Sequence, residues 1–239
     1  MFRSFSLLFL LVAVTLQQAS AHDAWFIPKD AGLTVAYGHG EKLDPYDPAK
    51  VKDAKGYDRK GQPVAVQMVA AKESASISSK EKPAIVTALF DGGYGVKTAD
   101  GWQKLTKREA QGKYSIVEAL KSQKYSKAIL TPCDTCTKPV GLAFEIVPEK
   151  DPFSVKPGDA LPLSVILNGK AIEGAVVKTS EAAHSGAKDQ LKSDKDGKAN
   201  VVVGKPGFQL IVASYKTPLK DDPDADVLSL STSLTFETK

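Results

Sequence analysis

The chain has 239 residues, with 32 Lys and Arg against 28 Asp and Glu, a formal charge of +4, and 42% hydrophobic side chains. Its basic residues are interleaved with acids along the whole length, which excludes the clustered footprint of a nucleic-acid binder. The apolar content is enough for one large or two small packed domains.

Residues 1–21 read as a secretory signal peptide. Arg3 supplies a positive start, the run from Phe5 to Leu16 is nearly all apolar, and Ala19-Ser20-Ala21 offers the small residues that a signal peptidase accepts. The run is shorter than the about 20 residues of a permanent spanning helix. The sequence therefore predicts export to the periplasm, cleavage after Ala21, a mature chain starting at His22, and no stable membrane insertion after cleavage. Trp25 and Phe26 then anchor a first strand in the core.

Short segments rich in β-branched residues follow at 32–38, 63–72, 74–79, 83–91, 94–98 and 140–148, separated by Gly, Pro, Asp and Lys. Asp91-Gly92-Gly93 and Asp100-Gly101 read as turns, with Tyr94 and Trp102 as a cross-strand pair. One segment, 113–129, stands apart. Ile116, Val117, Leu120, Tyr125 and Ile129 recur at roughly helical steps and Ser115 can cap the start, which predicts a short helix or an irregular amphipathic segment.

Cys133 and Cys136 lie in TPCDTCTKP. In an exported protein, two cysteines this close predict a local disulfide. A thioredoxin-like role wants a βαβ context, and a zinc site wants further ligands nearby.

Composition shifts at Pro148–Pro152. Beyond it the apolar alternation is cleaner, and Asn168-Gly169 and Asp196-Gly197 mark hairpin turns. About seven short strands over roughly 90 residues match an immunoglobulin-like sandwich. The expected fold is mostly β: a signal peptide at 1–21, an N-terminal β-rich metal-binding domain with a short helix at 22–147, and an immunoglobulin-like β-sandwich domain at 148–239. Asp221, Asp222, Asp224 and Asp226 lack the glycine and glutamate of a calcium loop and read as a solvated turn.

The three histidines are His22, His39 and His184. Cleavage after Ala21 gives His22 both an α-amine and an imidazole for one ion. The amine has a reference pKa near 8, so a metal displaces its proton readily at neutral pH. His39 sits between Gly38 and Gly40, and His184 lies in a loop at the end of the sandwich that could reach the first domain. An all-nitrogen set of this kind suits Ni, Co, Cu or Zn and not Mg or Ca. Asp23 and Glu41 stand beside the first two histidines as carboxylates that orient them. No serine elbow, HExxH or phosphate loop is present, and the chain reads as a binding protein, not an enzyme.

The stretches AHDAWFIP, YGHGE, DGGYGVKTADGW, KYSKA, LAFEIVPEKDPFSVKPGDALPLSVILNGKAIEGAVV and DADVLSLSTSLTF together resemble a bacterial family of exported proteins, the periplasmic components of nickel or cobalt uptake systems. The resemblance implies a two-part β-rich protein with a sandwich-like second half. It also implies a transition-metal substrate and an inner-membrane metal transporter as partner. His22 and His39 are the matching histidines; His184 lies outside the matching stretches. The residues leave three functions open. One is capture of Ni(II) or Co(II) for that transporter. The second is a copper-binding protein or copper monooxygenase with an N-terminal histidine brace, since Cu(II) outcompetes Ni(II) at nitrogen donors. The third is a metal-free adhesion or carbohydrate-binding module on the sandwich half.

Overall fold

The computed structural model describes residues 22–29, 32–39, 42–179 and 191–239. The expected signal peptide lies outside them. Among the described residues no helix is long and apolar enough to cross a membrane.

The first half contains strands Asp23–Lys29 (β1), Gly32–His39 (β2), Lys42–Leu43 (β3), Val51–Tyr57 (β4), Pro63–Val64 (β5), Gln67–Ala70 (β6), Ala75–Ser78 (β7), Ile85–Thr98 (β8) and Gly101–Gln103 (β9). The helix Lys107–Ala110 (α1) comes next, then strands Ile116–Ile129 (β10) and Phe144–Pro148 (β11). The second half adds Ala160–Leu167 (β12), Lys170–Ala171 (β13), Val176–Thr179 (β14), Leu191–Lys192 (β15), Lys198–Val202 (β16), Gly207–Pro218 (β17) and Val227–Thr238 (β18).

Among the described residues these strands form three sheets. One runs β1-β2-β7-β6 with β3 on β2; a nine-stranded sheet runs β15-β14-β17-β18-β10-β8-β4-β5 with β9 on β8; and a third runs β11-β12-β13 with β16 on β12. The nine-stranded sheet is the shared layer. Ile85, Tyr125 and Ile129 pack into a core with Phe144, Ile146, Leu161 and Leu163 of the third sheet. Val86, Ala88, Phe90 and Ala128 pack on the other side with Phe26, Leu33, Val35 and Ile77 of the first. Alternate residues of β8 and β10 thus enter different cores, as the two-residue period of a strand requires. The fold is mostly β with a sandwich-like arrangement, as the sequence predicts. Trp25 and Phe26 are both buried, Trp25 against Ala36 and Leu210.

The two halves are joined through a parallel pair in the shared layer, where β10 runs alongside β18 from Leu120↔Val227 to Ala128↔Thr235. A buried ion pair ties β10 to β11 of the third sheet. Lys127 Nζ donates to Glu145 Oε1 at 2.7 Å, and both side chains are essentially inaccessible, at 1% and 0% exposure. The Glu145 carboxylate also accepts from the backbone N–H groups of Val140, Gly141 and Leu142. The segment after the disulfide is therefore folded over it. Cys133 and Cys136 are bonded to each other, with Cα atoms 5.2 Å apart.

Three sequence expectations are corrected. Residues 113–129 are not a helix: 116–129 are strand β10. Both faces of β10 are covered from Lys124 to Ile129, so its apolar residues there do not alternate with solvent-facing ones. Of its buried polar residues, Ser126 Oγ donates to Ala24 O of β1 at 3.1 Å, Lys127 pairs with Glu145 of β11, and Lys124 Nζ donates to Ser122 Oγ within β10 at 3.0 Å. The short helix lies earlier, at α1, where Thr106 Oγ1 accepts from the Glu109 N–H and Glu109 Oε2 accepts from the Thr106 N–H. Asp91-Gly92-Gly93 is a β-bulge within β8, since Gln123 pairs Asp91 and Ser122 pairs Gly93, leaving Gly92 without a partner across the ladder.

The Asp222–Asp226 stretch is also more than a solvated turn. Asp224 takes a bidentate pair from Arg108 at 2.7 and 2.7 Å, Asp226 pairs with Lys107, and Asp222 accepts from Tyr94 Oη at 2.9 Å. Three acids of this stretch thus fasten it to α1 and β8. Tyr94 is committed to this contact, and Trp102 pairs with Lys97 in the β8–β9 hairpin.

Candidate metal centre

The register of β1 on β2 brings the two N-terminal histidines together. Asp23 pairs with Gly38, so the next rung outward places His22 opposite His39. Their ring centroids are 4.2 Å apart and tilted by 45°. The chain then turns back, with His39 opposite Lys42 and Gly38 opposite Leu43. Gly38 has φ +152°, and a Cβ there would lie 2.1 Å from the Lys42 carbonyl oxygen. Only glycine lets the returning strand come this close.

One rung further in, the Asp44 N–H donates to Tyr37 O at 2.8 Å. This sets the Asp44 carboxylate against the first histidine, with Oδ2 at 2.8 Å from His22 Nε2. Both side chains are partly accessible, at 39% and 31%.

A column of rings supports the other face. His22 stacks on Tyr37 at 4.8 Å and 15°, and Tyr37 stacks on Phe90 at 4.7 Å and 10°. Tyr46 meets Phe90 edge-on at 5.1 Å and is locked at its hydroxyl, which donates to Val35 O at 2.7 Å and accepts from the Ala75 N–H at 2.8 Å. The column ends in the core, because Phe90 belongs to β8. It ties the plane of the His22 ring to the shared layer.

The electrostatics follow from burial. Burial holds His39 below the ordinary histidine value, and His22 beside it acts in the same direction, against Asp44. Its ring therefore favours the neutral form, which carries a lone pair. Burial raises the Asp23 carboxyl, opposed by Lys124, Lys178 and a Ser231 hydrogen bond. Burial likewise lowers the Lys124 ammonium, with Asp23 opposing it. Tyr37 is raised by burial and then by Asp44 and Asp23.

Of the residues singled out from the sequence, His22 and His39 meet. Asp23 lies beneath them, with Lys124, Lys178 and Ser231 as its main neighbours. His184 and Glu41 lie outside the described residues. Cys136 of the disulfide is buried in the core shared with the third sheet. Asp44 was not singled out, yet it is the carboxylate that meets His22.

Among the described residues no group of three or more His, Cys, Asp and Glu side chains is placed to hold a metal ion. The donors at the His22–His39 pair suit a late first-row divalent ion in kind, both being imidazole nitrogens. In number the two rings supply two such nitrogens.

A protein-family model described as a domain of unknown function (DUF4198) matches residues 19–217. No curated protein and no solved structure matches the chain.

Proposed function

The chain belongs to the DUF4198 family, and we propose that it is an exported transition-metal-binding protein. In this reading it captures Ni(II) or Co(II) in the periplasm and hands it to an inner-membrane transporter. The observation that carries the reading is the pairing of His22 and His39 at a ring separation of 4.2 Å, on strand ends held by Gly38 and the ring column. The third nitrogen is the α-amine of His22, exposed by cleavage after Ala21, and His184 is a further candidate donor. Such a set holds a divalent ion without a net charge of its own. Cu(II) is the ion it would bind most tightly, so competition with Cu(II) belongs in the test.

The test uses protein that starts at His22. Titration with Ni(II), Co(II) and Cu(II) against a coloured chelator is expected to show one saturable site. His22→Ala and His39→Ala are expected to abolish it. A single alanine added ahead of His22 is expected to weaken it, by taking the amine away from the ring. Equal metal uptake by the parent protein and both histidine variants overturns the proposal. N-terminal sequencing of the exported protein checks the cleavage step, and a first residue other than His22 removes the third nitrogen.

A further inference from the structure

The contact between Asp44 and His22 sharpens this reading, on which the inference rests for its metal. The geometry points to Asp44 as a positioning residue that selects which nitrogen of His22 faces the ion. A carboxylate oxygen accepts hydrogen bonds and does not donate them, so at 2.8 Å from Asp44 Oδ2 it is His22 Nε2 that carries the proton. In the neutral ring this leaves the lone pair on Nδ1. Nδ1 is the nitrogen on the backbone side of the imidazole. With the α-nitrogen of the same residue it closes a compact chelate ring through Cα, Cβ and Cγ. Nε2 points away and cannot share an ion with its own amine.

Asp44 is well placed for this task because it is not free to wander. Its N–H is bonded to Tyr37 O, and the Tyr37 ring stacks on His22 at 4.8 Å. Adjacent positions on one two-stranded ribbon therefore fix the ring's plane and its hydrogen-bonded edge. The third contact, His39, comes from the same ribbon two residues beyond Tyr37. Asp44 thus acts on the metal through His22, in the manner of the carboxylates that orient metal-bound histidines elsewhere.

The test reads the ring directly. Long-range 1H–15N spectra of the metal-free protein, starting at His22, report which nitrogen is protonated. The parent protein is expected to show the Nε2–H tautomer. Asp44→Asn, whose amide oxygen still accepts, is expected to keep it. Asp44→Ala is expected to show a mixture, and its Cu(II) affinity is expected to fall about 10–100-fold, with a smaller fall in Asp44→Asn. An Nδ1–H tautomer at His22 in the parent protein overturns the inference with no variant needed. So does an unchanged tautomer in Asp44→Ala, or a changed one with Cu(II) affinity intact. If the parent protein binds neither Cu(II) nor Ni(II), the metal reading falls and takes the chelate argument with it. The metal-free spectra then still decide whether Asp44 sets the ring.

Discussion

Replacing Glu145 with alanine is expected to be among the most damaging single changes in this chain. The carboxylate is wholly inaccessible and faces Lys127 Nζ at 2.7 Å. Burial pushes the Lys127 ammonium down and Glu145 pulls it back. Removing the carboxylate leaves an uncompensated charge in the core, which costs about 3–5 kcal/mol. The three N–H groups of Val140, Gly141 and Leu142 also lose their acceptor. Buried orphans cost about 1–3 kcal/mol each. Gly141 is exposed and its neighbours are only partly buried, so this segment can turn to water, and the total stays near the cost of the charge. Against a typical stability of about 5–15 kcal/mol this is a large share.

Urea denaturation followed by tryptophan fluorescence measures the loss. Two comparisons make it decisive. The double variant Lys127→Met/Glu145→Leu removes the buried charge altogether and is expected to be more stable than Glu145→Ala. Asp53→Asn breaks the Lys55–Asp53 pair, whose side chains are 54% and 64% exposed, and is expected to cost under about 1 kcal/mol. Asparagine suits that position because it tolerates the left-handed backbone at φ 52°. A Glu145→Ala loss no larger than that of Asp53→Asn would refute the reasoning. A double variant as unstable as the single would do the same.

Two further outcomes are expected. Tyr46→Phe removes the hydroxyl that serves both Val35 O and the Ala75 N–H, so it is expected to cost about 1–3 kcal/mol in urea denaturation; an unchanged midpoint refutes the bridging role. Asp224 is held below the ordinary aspartate value by its hydrogen bonds from Arg108, and Asp222 by the Asp224 N–H. Folded values below unfolded ones mean that their contribution is full above about pH 4, the unfolded aspartate range, and fades as the pH falls through the folded values. The Arg108 Nε–H resonance, which reports its bond to Asp224 Oδ1, is expected to hold steady down to that range and shift only below it. A shift complete at higher pH contradicts the lowered values.

Much of the strand content was legible because the physics was local. Asn168-Gly169 sits at positive φ in both residues, as its hairpin turn requires. The meeting of His22 with His39 was only half visible. The sequence shows two histidines of the right chemistry, but their distance is set by the Asp23↔Gly38 register. Asp44 was missed because a hairpin contact appears in the sequence only once its register is known: with His39 opposite Lys42, Tyr37 must face Asp44. The misreading of 113–129 had a different cause. Lys124–Ile129 is covered on both faces and carries no period of two, and with the scattered apolar residues before it the segment imitates a helix. The T-K-R-E run at 106–109 held the capping signal of the true helix, but one turn of helix has almost no apolar period to draw attention.

The parallel pairing of β10 with β18 also fixes a timetable. A ribosome finishes β10 about a hundred residues before it begins β18, and until then β10 and β17 each lack a neighbour. The layer on which both cores rest stays open through most of synthesis, and contacts so distant along the chain form slowly. Neither core can close around its central layer until the last strand arrives, so the two are completed together, by the same final stretch of chain.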